Sequence, residues 1–102
     1  MSKNWFWTWG GKCFGYREDD RLFAYFGLQV GRFDGDGVYG ADGRYLGEIM
    51  NENRLITHKG KKGWRHSGFS PVRRGSYGRY GNYGAYGMYG GYEDFPSPDE
   101  FK

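Results

Sequence analysis

Gly11-Lys12-Cys13-Phe14-Gly15, Gly27-Leu28-Gln29-Val30-Gly31 and Gly43-Arg44-Tyr45-Leu46-Gly47 are one pattern written three times, sixteen residues apart. Upstream of each copy stands an apolar pair, Phe6-Trp7, Leu22-Phe23 and Val38-Tyr39, at the same spacing. A one-residue insertion near Asn51-Glu52-Asn53 carries the series to Leu55-Ile56, and a less regular fourth copy continues as Gly60-Lys61-Lys62-Gly63-Trp64. Units so short and so rich in glycine do not read as helices; a β-hairpin fits them. The expected turns are centred on Gly10-Gly11, Phe26-Gly27, Asp42-Gly43 and Lys59-Gly60, where glycine accepts positive φ. Glu18-Asp19-Asp20, Asp34-Gly35-Asp36 and Asn51-Glu52-Asn53 join one hairpin to the next.

The expected fold is therefore all-β: a four-fold pseudosymmetric hairpin meander, funnel-like, with eight short strands near residues 5–9, 12–17, 21–25, 28–33, 37–41, 44–50, 54–58 and 61–66. Four equal hairpins cannot each bury an apolar face alone, so they gather around a common axis. Phe14, Val30 and Leu46 face that axis, and the second glycine of each copy lies where backbones crowd. Fourteen aromatic rings between Trp5 and Phe69 supply a core for a domain of this size without disulfide or metal.

Composition divides the rest of the chain. Residues 1–4 are a lead, 5–66 the repeat domain, 67–74 a basic hinge, and 75–102 a Tyr-Gly tail with an acidic end. Tyr77, Tyr80, Tyr83, Tyr86, Tyr89 and Tyr92 recur every third residue without proline between them, which reads as a disordered, self-associating segment rather than collagen. One cysteine excludes an intramolecular disulfide, and Met1 to Asn4 lead into Trp5 without a long apolar run. A cytoplasmic protein with no transmembrane segment is expected.

The opening Trp9-Gly10-Gly11-Lys12-Cys13-Phe14-Gly15-Tyr16 and the later Val38-Tyr39-Gly40-Ala41-Asp42-Gly43-Arg44-Tyr45-Leu46-Gly47 resemble the four-fold β-flower proteins, small bacterial chains of hairpin petals; Leu55-Ile56-Thr57-His58-Lys59-Gly60-Lys61 is a weaker echo. The resemblance covers residues 5–66 and implies a shallow β funnel without fixing an activity. Trp64, standing where the pattern has glycine, puts closure by the fourth petal in question.

Net charge is +3, but no acid lies between Glu52 and Glu93, a window holding Arg54, Lys59, Lys61, Lys62, Arg65, Arg73, Arg74 and Arg79. Lys59, Lys61, Lys62, Arg65, Arg73 and Arg74 are the candidate anion-binding residues, with Trp5, Trp9 and Trp64 as stacking platforms for a nucleic acid or anchors at an anionic membrane surface. The alternative for Trp5, Trp7 and Trp9, which share one face of the first strand, is core packing. The tail tyrosines offer a second reading, homo-oligomeric assembly.

Catalytic, metal and cofactor chemistry find no support. Cys13 sits in an aromatic strand as a small hydrophobe. His58 and His66 lack carboxylate neighbours, Asp34-Gly35-Asp36-Gly37 lacks the closing acid of a calcium loop, and Gly10-Gly11-Lys12 lacks the length of a phosphate loop. A small-molecule pocket or an enzyme site in the funnel remains a third class without a nominated residue.

Overall fold

The computed structural model describes residues 4–102; most of the lead expected over 1–4 lies outside the described residues. The chain is all-β. Seven strands run as an antiparallel meander: β1 (Asn4–Thr8), β2 (Cys13–Glu18), β3 (Arg21–Ala24), β4 (Gln29–Asp34), β5 (Gly37–Tyr39), β6 (Tyr45–Met50) and β7 (Arg54–His58). In a seven-strand meander the first and last strands point the same way, so closure requires a parallel contact. β1 makes it with β7 at Trp7–Arg54 and Thr8–Leu55.

Inside the barrel, each strand contributes one residue to the axis at intervals of eight: Phe6, Phe14, Leu22, Val30, Val38 and Leu46, then Leu55 after the insertion. The partner of each apolar pair, Trp7, Phe23 or Tyr39, points to the outer face by strand alternation and is buried as well. Three bulges explain how the inward set fits. The register slips between Phe6 and Trp7, between Leu22 and Phe23, and between Val38 and Tyr39, each time leaving one residue of the opposing strand without a partner. Those extra residues are Phe14, Val30 and Leu46, as their absence from the paired registers shows, and the bulge turns each toward the axis. The glycine after each is crowded: a Cβ on Gly15 would strike the Phe23 carbonyl, and one on Gly47 the Phe95 ring.

Two expectations fail after β7. Residues 61–66 form no strand. A 3-10 turn at Lys59–Lys61, capped by His58, interrupts the run instead, with Lys62 and Trp64 donating back to the carbonyls of Lys59 and Lys61, and only an isolated bridge between Arg65 and Arg44 follows. The eighth strand, β8 (Tyr92–Asp94), comes from the supposed tail and pairs with the end of β7 through Ile56–Asp94, Thr57–Glu93 and His58–Tyr92. β1 and β8 thus share one edge of β7, on its first and second halves.

The tail packs against the barrel. Beyond β8, Phe95 enters the core cluster edge-on to Phe14 at 5.2 Å, Pro98 is buried, and Phe101 packs beside them. A 3-10 turn, Pro98–Phe101, holds this plug with a capping box between Ser97 and Glu100, and Lys12 reaches down to Asp99 at 2.8 Å. The funnel therefore holds the chain's own terminus.

Candidate functional site

Between β7 and β8 the chain circles the outside of the barrel and touches the four hairpin tips in turn. His66 N–H donates to the Gly43 carbonyl at 2.8 Å, Arg74 to Gly27 at 2.7 Å and Tyr83 to Gly11 at 2.8 Å, and Lys59 N–H donates to the Gly91 carbonyl at 2.9 Å. Three residues after each of the first three contacts comes a second. Phe69, Tyr77 and Tyr86 donate to the carbonyls of Ala41, Tyr25 and Trp9. Positive φ at Gly11, Gly27 and Gly43 (96°, 94° and 86°) opens these docking points, since a Cβ at each would collide with the carbonyl of Tyr83, Arg74 or His66.

Each tip contact seats side chains on the outward aromatic layer. Tyr83 stacks on Trp7 at 4.1 Å, Tyr80 meets Trp5 edge-on at 4.8 Å, Tyr77 meets Tyr16 at 5.1 Å, and Tyr86 lies 4.8 Å from Trp9. Indole N–H groups fasten the glycine carbonyls between the tyrosines: Trp7 Nε1 donates to Gly81 and Trp9 Nε1 to Gly87, both at 2.9 Å. A three-residue repeat in extended chain keeps all tyrosines on one side. Each ring is held on one side by the barrel and reaches solvent on the other, so Tyr77, Tyr80, Tyr83, Tyr86 and Tyr89 are 44–56% exposed. The tyrosines read from sequence as a sticker segment thus form an aromatic girdle on the barrel's outer face.

Arg54, counted from sequence only as one of eight basic residues, is the fastening that reading missed. The residue is 4% exposed, and its guanidinium donates to the carbonyls of Thr8, Trp9 and Gly84 and lies over Tyr86 at 4.2 Å and Tyr83 at 5.3 Å. It joins the closing strand of the barrel to the girdle.

The expected anion-binding residues scatter around the rim. Lys61 pairs with Glu48 at 2.8 Å and lies 4.9 Å from the Trp64 ring; Lys62 pairs with Glu93, and Arg74 with Glu18. Lys59, Arg65 and Arg73 have no carboxylate within ion-pair distance among the described residues, nor does Arg79, which lies over Tyr25. Of the stacking candidates, Trp64 is half-exposed, Trp5 is partly covered by Tyr16 and Tyr80, and Trp9 is buried at 1% exposure and unavailable. Burial pushes the Cys13 thiol up, as expected of a packed side chain rather than a nucleophile.

Tyr45, Glu48 and Lys61 form a small network at the base of the fourth tip. Tyr45 Oη donates to Glu48 at 2.8 Å and accepts from His58 N–H, and burial pushes its pKa well up. Burial alone would raise Glu48, but hydrogen bonds from Lys61 and Tyr45 outweigh it and hold the carboxyl below its ordinary 4.5; the same bond raises Lys61 above 10.5. A depressed carboxyl stabilises the fold above its unfolded pKa and loses that contribution as pH falls through the folded value. Glu48→Gln is therefore expected to cost about 1 kcal/mol at neutral pH. In urea titrations, the gap to wild type should close as pH drops below 4.5; a gap of constant size would mean that the charge is not involved.

A cleft of about 810 Å³ opens beside the girdle where the barrel closes. β1 meets β7 only from Trp7 onward, so its first half stands away from the loop 51–53. Asn4, Trp5 and Phe6 form one wall, Glu52 and Asn53 the opposite rim, and Tyr80, Asn82 and Tyr83 the girdle side.

No family model matches the chain, and no curated protein or solved structure matches it. No helix is long and apolar enough to cross a membrane among the described residues.

Proposed function

We propose that this chain is a non-enzymatic binding module of the four-fold β-flower kind, and that single-stranded nucleic acid lies along its girdle. One observation carries the reading: five tyrosine rings, each half-exposed and held from behind, follow one another along a segment without a single acid. Such rings offer π-faces that need no ordering on binding, and stacking on a base contributes about 1–3 kcal/mol. Lys59, Arg65, Arg73 and Arg79 flank them without carboxylate partners among the described residues and supply the attraction for phosphate. The hairpin spacing and the crowded glycines support kinship with the β-flowers, and the lone, buried Cys13 fits a cytoplasmic setting.

Shape favours a strand over a membrane. The girdle runs around a body of 37 × 33 × 25 Å, so a flat bilayer would meet only an arc of it, whereas a flexible chain can follow it. Labelled oligo-dT and anionic liposomes, titrated side by side, test the reading. Expected is oligo-dT binding whose log-log salt slope is about −3, from four cations at about −0.7 each. Arg65→Ala with Arg73→Ala and Arg79→Ala should bring that slope to about −1. Liposome binding without oligo-dT binding would overturn the reading.

The exposed aromatic band also supports a second reading, assembly with further copies through the same rings. Concentration-dependent sedimentation that survives the triple Arg substitution and fails with Tyr80→Ser and Tyr89→Ser would select it.

A further inference from the structure

The cleft beside the barrel seam borders the girdle and shares Tyr80 and Tyr83 with it, but the chemistry of its remaining lining differs from that of the girdle. Among the described residues that line it there is no Lys, Arg or His, so none of them would hold a phosphate by charge. Among the described lining residues the one formal charge is Glu52 at the rim. Three amide side chains line it, Asn4, Asn53 and Asn82, a residue type that carries both donors and an acceptor. Asn82 spends its Oδ1 on the Cys13 N–H at 3.1 Å, which fixes the side chain and leaves its NH₂ as the group to serve a ligand. Behind the amides stand the rings of Trp5 and Tyr80, 4.8 Å apart and perpendicular, so that one presents a face where the other presents an edge.

The rim is held in an unusual conformation. Asn51 and Glu52 both have positive φ, 54° and 67°, and Asn53 N–H closes back on the Asn51 carbonyl at 2.7 Å. Glycine is the residue that takes such a position without strain, and the chain keeps a carboxylate there instead. Strain of this kind gathers at ligand sites, where a side chain must point in one direction. Opposite, the backbone N–H groups of Trp7 and Trp9 donate to the Asn53 and Leu55 carbonyls, and strand alternation aims the Trp5 backbone amide at the same seam, ahead of the paired region.

We infer that the seam cleft is a binding site for a neutral sugar of one to a few pyranose rings. Aromatic faces take the apolar side of a pyranose, and groups that donate and accept match hydroxyls that do both. The cleft volume, about 810 Å³, falls in the range of small-molecule sites. An ammonium ligand would want several ring faces and a carboxylate at close range. Here the Trp7 and Tyr83 faces are spent on each other at 4.1 Å, and the amides would go unused.

The test is an amide and indole NMR titration of the full chain with glucose, galactose, mannose and N-acetylglucosamine and with a linear trimer of each, up to about 10 mM. Expected are shifts of the Trp5 indole and of the Asn53 and Asn82 side-chain amides by at least one sugar, unaltered by salt, which separates this site from polyanion binding on the girdle. Asn53→Ala and Glu52→Gln, both on a surface loop, should each weaken that binding about tenfold; Trp5→Ala should abolish it with the Trp7 and Trp9 indole signals in place. No response to any of these sugars overturns the inference. So does binding that ignores both loop substitutions, or tighter binding of tetramethylammonium at the same resonances.

Discussion

Phe95→Ala is expected to destabilise the whole barrel by about 3–5 kcal/mol, the usual cost of emptying a buried phenylalanine site. Phe95 is 3% exposed, forms part of the central cluster and stands against Phe14 at 5.2 Å, with its ring filling the space that a Cβ on Gly47 would need. The loss is large against the 5–15 kcal/mol that domains commonly possess, and it should lower the melting temperature by more than about 10 °C. It also decides between two pictures of the terminus. A disordered tail would leave stability unchanged, because a side chain that is exposed in both states contributes nothing to their difference. Thermal unfolding followed by Trp fluorescence reads the outcome, and a shift under about 2 °C would remove Phe95 from the core.

The seven strands of the barrel were legible because their signals are local: turn glycines at fixed spacing and one apolar pair per petal. Phe14 and Val30, expected inward, are buried in the core, and Leu46 packs against it in part. The eighth strand was misread for an equally physical reason. Period alone assigned residues 61–66 to a returning strand, yet Lys61-Lys62-Gly63-Trp64 has no apolar residue to give the axis, and Trp64 is half-exposed. β1 could take the vacant edge because seven strands return to its direction.

The girdle was hidden by a rule that considers a segment by itself. Tyr and Gly in threes cannot form a core of their own, which is why composition reads them as flexible. What orders them is the outer face of the barrel, where the first petal carries Trp5, Trp7 and Trp9 instead of the sparser aromatics of later copies. The signal was therefore present in two places. Indoles alternating along one strand and tyrosines recurring along another segment are two halves of one interface, and Trp5, Trp7 and Trp9 meet Tyr80, Tyr83 and Tyr86 in order. The seam cleft was not legible, since it depends on where β1 and β7 part.

Arg54 should give the second large effect, and its direction across two substitutions is more informative than its size. The guanidinium is buried, and it faces no carboxylate among the described residues; three carbonyls and two tyrosine rings offset its desolvation, and Nε has no hydrogen-bond partner among the described residues. Arg54→Lys keeps the buried charge but loses the fork, so its single ammonium cannot reach Thr8, Trp9 and Gly84 together, and the cost is expected at about 3–5 kcal/mol. Arg54→Met removes the charge and its desolvation penalty along with the hydrogen bonds while keeping the length of the stem, and should cost less, about 2 kcal/mol. In both variants, hydrogen exchange should accelerate first at the Tyr83 and Tyr86 amides, which donate to Gly11 and Trp9, before the barrel strands respond. Should methionine prove the more damaging, the charge itself holds the girdle. Unchanged exchange at Tyr83 and Tyr86 would mean that the tip contacts alone suffice, and that Arg54 serves only the seam between β1 and β7.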